Sequence, residues 1–259
     1  MGNDVLLEVV RRRSVLTTLQ ENALTPSDLT DRLDLSRSTV HRIARQLEAE
    51  NLLARPNGDL ELTALGDVVA DELRAFEETF ATAQRLEPAL AAFHETRFTF
   101  PVDAFADATT TESTTQDPYR PVNRFMSLVA GTDTLRGVDP ASINPLHLDD
   151  LHQAIVDGME TDAVFRPSVV QELIRNNPER ARTAFESGNL MLRTHEDLQF
   201  GLTLCDDRVG VGIYDEETGL LTMYLDTDSP AAYDWAEGVY ATFLVESDVV
   251  DWRAELPRD

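Results

Sequence analysis

The stretch Thr25–Leu53, TPSDLTDRLDLSRSTVHRIARQLEAENLL, has the spacings of two short helices joined by a tight turn. Thr25 can cap a helix through its side-chain oxygen, and Pro26 can take the first helical position, where a missing N–H costs nothing. Leu29 and Leu33 then fall four residues apart on one face, with Asp28, Asp31 and Arg32 elsewhere, as a short half-buried helix requires. Asp34 and Leu35 make the turn, and Ser36 can cap the second helix. From Arg37 the apolar positions Val40, Ile43, Ala44, Leu47 and Leu52 recur at spacings of three to five and predict a buried stripe. The opposite face offers Arg37, Ser38, Thr39, His41, Arg42, Arg45 and Gln46, side chains able to bond phosphate oxygens or base edges. An amphipathic helix with several arginines also occurs on ordinary protein surfaces, so this helix alone leaves both readings open.

The continuation Leu53–Leu65, LARPNGDLELTAL, separates them. Asn57 and Gly58 are a two-residue hairpin signal, with Leu53, Ala54 and Arg55 before it and Leu60 and Leu62 alternating after it. Helix, turn, helix, hairpin is the order of a winged helix. Upstream, Val5, Leu6, Val9 and Val10, then Val15, Leu16 and Leu19, supply a first or broken helix to complete a small core. Because the second helix of a helix-turn-helix enters the major groove through its N-terminal residues, Ser36, Arg37, Ser38, Thr39, His41 and Arg42 are expected at bases or adjoining phosphates. Arg45 and Arg55 are expected on the backbone, with Asn57 at the wing tip.

The segments SRSTVHRIARQLEAENLL and LELTALG, with the helix after them, resemble the winged-helix heads of archaeal transcription regulators. Farther on, DPYRPVNRFMSLV and FGLTLCDDRVGVGIYDEETGLLTMYLDTDSPAAYDWAE resemble the C-terminal half of a group common in haloarchaea. That group is similar to the methanogenesis-regulator family, with an effector domain behind a DNA-binding head. The resemblance spans nearly the whole chain and is weakest between Phe93 and Thr115. It implies a DNA-binding regulator and names no ligand.

A net charge of −25 on 259 residues argues at face value against a polyanionic partner. Its distribution changes that argument: residues through Gly66 hold eight arginines and ten acids, a net of −2, and the remainder carries −23. All 22 basic residues are arginine. With a pI near 4.4, this composition reads as adaptation to a salty, halophilic cytosol. At ~1 M salt the Debye length is about 3 Å, so affinity must come from short contacts, base-edge bonds and dimer geometry. Arginine suits them because its planar fork bonds phosphate or guanine bidentately.

After the wing, Val69, Leu73, Phe76, Phe80 and Ala83 form a heptad-like seam. It can pack on its own domains or on the same helix of a second chain; a homodimer reading a palindromic operator is expected. Pro88 predicts a bend or restart near Glu87. From Arg97 a strand and then a loop through the Thr-rich run to Thr115 are expected. Next come a helix from Pro121, a strand at Thr134–Val138, a helix from about Pro145 to Met159, a strand at Ala163–Phe165, and helices from Pro167 and Pro178. Leu190–His195, Phe200–Leu204, Val209–Tyr214 and Leu220–Leu225 read as four successive antiparallel strands, the last pair turning at Glu216–Gly219. A final helix follows Asp228 or Ser229.

The fold class is thus α+β: a winged helix-turn-helix over residues 1–66, a connecting and dimerisation helix over 67–96, and an α/β effector domain with a mixed sheet over 97–259. No leader stands at Met1 and no apolar run approaches the ~20 residues that span a bilayer, so a cytoplasmic protein without a membrane partner is expected. The single Cys205 excludes an intrachain disulfide and reads as a buried apolar residue, with a redox sensor as the alternative.

No catalytic residues are assigned, and a non-enzyme without cofactor or metal is expected. His147, Asp149, Asp150 and His152 sit close in sequence, but helical positions five apart are about 140° apart around the axis. Gly210 and Gly212 lack the third glycine and the following helix of a dinucleotide loop; they make room for close packing or a ligand. Without lysine, Walker-type loops, Schiff-base chemistry and the histidine-lysine motif of phospholipase D are excluded, and no GxSxG elbow occurs. Arg124, Arg136 and Arg193, beside His195, could meet an anionic small-molecule effector or serve in internal ion pairs; the effector site is unassigned. The expected function is a sequence-specific regulator binding double-stranded DNA. The alternatives are a winged-helix protein-interaction module or an α/β enzyme with a regulatory head.

Overall fold

The computed structural model describes residues 2–141, 147–215 and 217–255. The chain forms two compact units, Met1–Ala81 and Thr82–Asp259.

The first unit opens with two helices, α1 (Gly2–Arg11) and α2 (Arg13–Leu19), the expected broken helix. Helix α3 (Pro26–Leu33) begins at the Thr25 cap and closes where Asp34 takes a left-handed φ of 51°. Helix α4 (Arg37–Ala49) buries Val40, Ile43, Ala44 and Leu47 against Leu16, Leu29 and Leu60, which are fully buried. Strands β1 (Leu53–Ala54) and β2 (Glu61–Leu62) form the wing. Helix α5 (Ala64–Arg85) starts where the Thr63 hydroxyl accepts from Gly66 N at 3.0 Å. A Cβ at Gly66 would lie 2.1 Å from the Leu52 carbonyl oxygen, so only glycine lets this turn approach. Ala70 and Leu73 complete the head's core, and the boundary between the units falls inside α5, whereas a separate segment from residue 67 was expected.

In the second unit the chain restarts after Leu86 as α6 (Glu87–His94), with Pro88 in its first turn. The remaining elements are β3 (Thr109–Glu112), α7 (Arg120–Val129), β4 (Thr134–Asp139), α8 (Leu148–Asp157), β5 (Glu160–Phe165), α9 (Pro167–Asn176), α10 (Pro178–Glu186), β6 (Leu190–Thr194), β7 (Gly201–Cys205), β8 (Arg208–Tyr214), β9 (Leu221–Thr227), α11 (Pro230–Glu246), β10 (Asp248–Val249) and α12 (Trp252–Glu255). One eight-stranded sheet has the order β10-β6-β5-β4-β7-β8-β9-β3; β4-β5 and β5-β6 are parallel and the other pairs antiparallel. The architecture is α+β, a winged-helix head and a C-terminal α/β domain with a mixed sheet.

Two of these expectations are corrected. The strand comes within the Thr-rich run, at β3, and not directly after Arg97. There Phe100 and Phe105 enter a core with Phe93, Phe200 and Phe243, while β3 lies at the sheet edge, where little apolar alternation is needed. Strand β6 is not part of the antiparallel run but pairs in parallel with β5, as β-α-β crossovers through α8 and through α9 and α10 require. The expected helix start at Pro145 and the turn position Glu216 lie outside the described residues. Ser229 supplies the cap of α11.

Candidate nucleic-acid interface

The two helices of the motif are held at their starts by side-chain oxygens. Thr25 N donates to the Asp28 carboxylate at 3.0 Å and Asp28 N donates back to the Thr25 hydroxyl at 3.1 Å. The Thr25 hydroxyl also donates to that carboxylate, and these bonds hold Asp28 below the usual carboxylate range. At α4, Thr39 N donates to the Ser36 hydroxyl at 3.2 Å, and the Ser38 and Thr39 hydroxyls lie 2.9 and 2.8 Å from it. Ser36, Ser38 and Thr39 therefore form one hydroxyl cluster at the helix N-terminus, where unpaired N–H groups favour an anion.

Burying the apolar stripe of α4 turns Arg37, Ser38, His41, Arg42 and Arg45 outward, with Thr39 half-buried. Arg42 Nη1 donates weakly to Gln46, at 3.4 Å. Among the described residues Arg37, Arg42 and Arg45 face no carboxylate partner, which leaves most of their N–H donors available. Arg55 differs, because its Nε donates to Glu48 on α4 at 2.9 Å. That pair ties the wing to the helix.

The wing tip departs from the expected two-residue turn. Asn57 and Gly58 do take positive φ, 56° and 97°, but the last pair of the ladder is Ala54 with Glu61, so residues 55–60 make the connection. Pro56 cannot donate to a ladder. Leu60 bonds Leu24 in both directions, at 2.8 and 3.0 Å, and is completely buried. The loop is long because Leu60 serves the core.

The side chains weighed for an effector are internally engaged. Arg124 gives a bidentate pair to Asp226, at 2.6 and 2.7 Å, and Arg208 reaches the same carboxylate at 2.7 Å. The bonds to Asp226 raise Arg124 above the ordinary arginine value. Arg136 bonds Glu237 and the Tyr233 hydroxyl, Arg193 bonds Asp162, and His195 lies 3.6 Å from Glu246. Asp149 pairs with Arg180, and His152 lies 2.9 Å from the Thr183 hydroxyl. Among the described residues no group of three metal-ligating side chains gathers. Burial pushes the Cys205 thiol up to about 12, as for an inert apolar filler.

One polar pair escaped sequence reasoning. The Tyr214 hydroxyl donates to Asp139 at 2.8 Å across 75 residues of chain, and burial raises the Asp139 carboxyl to about 6. The signal available was the alternation of Gly210 and Gly212 in β8, which leaves room for close packing or a ligand.

The wing and the two capped helices make a winged helix-turn-helix, followed in the chain by the mixed-sheet domain, and the family models matched by both parts are those of archaeal transcription regulators. Residues 118–246 match the family "Methanogenesis regulatory protein FilR1, middle domain", and residues 2–85 match the "HVO_A0261 N-terminal domain". The domain matches favour a regulator over an enzyme. Among solved structures, TrmBL2, an archaeal chromatin protein, is 14% identical with a TM-score of 0.45, covering 91% of this chain and 92% of that one. The phospholipase D family member Nuc from Salmonella typhimurium is 12% identical with a TM-score of 0.43, covering 55% of this chain and 97% of that one. Likenesses this distant carry no functional argument. No match is found among curated protein sequences. Among the described residues no helix is long and apolar enough to cross a membrane.

Proposed function

We propose that the protein reads double-stranded DNA as a sequence-specific homodimeric regulator, modulated by a ligand or partner at its C-terminal domain. The observation that carries this reading is the outer face of α4, where three arginines without carboxylate partners flank a hydroxyl-capped helix start. In this reading Ser36 to Arg42 meet bases and adjoining phosphates, and Arg45 grips the backbone. Arg55 uses the donors that Glu48 leaves free, and Asn57 reaches from the wing.

Dimerisation is supported by Phe76 and Phe80 of α5, stacked at 6.0 Å and 60% and 54% exposed. Two neighbouring aromatic rings in water are unfavourable, and pairing with a second copy would bury them. Functionally, residues 1–66 act as the reading head, 67–96 carry the pairing and 97–259 hold the effector domain. Two heads would then meet half-sites about one helical turn apart. In the salty cytosol that the lysine-free composition suggests, such paired short contacts replace long-range attraction.

Gel shifts at matched high salt test the reading. Arg42→Ala is expected to weaken operator binding by about 1 to 3 kcal/mol without unfolding the head; unchanged affinity removes Arg42 from the interface. Phe76→Glu with Phe80→Glu is expected to halve the mass seen by sedimentation equilibrium, and an unaltered dimer would place the pairing surface elsewhere.

A further inference from the structure

One face of the C-terminal sheet is short of side chains. Along β4, β7 and β8 the residues of one parity, among them Val138, Leu202, Leu204, Val209 and Val211, enter the core shared with α6 and α11. The alternate positions point the other way, and four of them are glycine: Gly137, Gly201, Gly210 and Gly212, with Gly201 opposite Gly212 and Thr203 between Gly137 and Gly210. Two tyrosine rings use part of this space. A Cβ at Gly210 would lie 1.8 Å from the Tyr224 hydroxyl, and one at Gly201 would lie 3.2 Å from that of Tyr214.

The rest of the space is a cavity of about 690 Å³, within the size range of small-molecule sites, roughly 300 to 1,000 Å³. Its walls are apolar, with Val122 and Phe125 from α7, Leu151 and Ile155 from α8, Leu173 from α9 and Leu221 from β9. It borders the C-terminal end of parallel strand β4, beside which the strand order turns back from β6 to β7, the usual place for a ligand in an α/β sheet.

Two of its polar groups are incompletely used. Asp139 accepts from Tyr214 through Oδ2 and from Ala141 N through Oδ1, at 2.8 and 2.9 Å. Each oxygen keeps a further lone pair, and among the described residues no arginine bonds it: Arg166 donates to the Leu198 carbonyl. The Tyr224 hydroxyl, on a side chain 2% exposed, has no hydrogen bond of good geometry, with the Thr203 hydroxyl beside it. A buried hydroxyl left so is unfavourable unless a ligand bonds it. Arg136 and Arg180, whose residues border the cavity, are neutralised by Glu237 and Asp149, so the polar set suits a donor of positive charge and opposes a carboxylate.

We propose that this cavity binds an apolar amine, its hydrocarbon body against α7 and α8 and its ammonium group donating to Asp139 and the Tyr224 hydroxyl. Its role as the effector site rests on the regulator reading above; the binding itself does not. Titration calorimetry on the full chain tests it with three probes of one shape: tryptamine, tryptophol and indoleacetate. Tryptamine is expected to bind at least tenfold tighter than tryptophol, and indoleacetate not at all. Asp139→Asn should reduce tryptamine to the level of tryptophol and leave tryptophol unchanged. Tyr224→Phe should melt no earlier than the parent chain, since its hydroxyl makes no hydrogen bond of good geometry. No binding, equal affinity for all three probes, or tryptamine affinity untouched by Asp139→Asn overturns the site. Tryptamine binding that leaves operator affinity unchanged would uphold the site and overturn the effector role, whereas a chain that binds tryptamine but no DNA would break the regulator reading alone.

Discussion

In the head, Arg37, Arg42 and Arg45 stand on the outer face of α4 with no carboxylate partner among the described residues, whereas in the C-terminal domain Arg124 and Arg208 converge on Asp226, which is fully buried. Acid abundance does not explain the contrast, since the head also has more acids than arginines. Placement does. Asp28 is occupied by its cap and Glu48 by Arg55, so neither carboxylate pairs with the arginines of the outer face. Asp226 thus engages two arginines inside the fold, whereas the arginines of α4 keep most of their donors free.

The largest test of this contrast is Asp226→Ala. Two guanidinium groups lose the carboxylate they share, and the C-terminal domain is expected to lose about 3 kcal/mol in urea unfolding. Both tryptophans, Trp235 and Trp252, lie in that unit, so their fluorescence follows it alone. The Arg42→Ala substitution should show the reverse, with operator affinity reduced and the melting of the head unchanged. Ser36→Ala is smaller: losing the cap should destabilise α4 by about 1 kcal/mol, read as faster hydrogen exchange of its amides.

A further test concerns pH. Asp139 is raised from 3.8 to about 6 by burial, so between those values the unfolded chain ionises while the folded chain holds its proton. That contribution to stability is present below the unfolded value and is lost as pH rises through about 6. Thermal melts across this window should show a decline that Asp139→Asn removes; a variant with the same decline would assign it to another group.

Much of the head was legible because its signals are local. Thr25, Pro26, Ser36 and the stripe Val40, Ile43, Ala44 and Leu47 act within one or two turns of helix, and the caps form where those residue types stand. The wing was legible in its turn residues and not in its length, since Leu60 is claimed by Leu24 from outside the hairpin. In the C-terminal domain the helices opened by Pro167, Pro178 and Pro230 announced themselves in the same way. Arg124, Arg136 and Arg193 could be seen as charges, but their acids lie 102, 101 and 31 residues away in the chain.

By itself, then, the sequence determined where the capped and proline-opened helices begin, which stripe of α4 is buried and which faces out, because backbone propensity, capping and apolar periodicity are properties of neighbouring residues. Only the tertiary structure decided that β6 pairs in parallel with β5, that Asp226 holds two arginines, and that four glycines on adjoining strands open a cavity beside Asp139 and Tyr224. Those outcomes depend on which distant segments bury surface against each other, and that choice is made by the packing of the whole sheet.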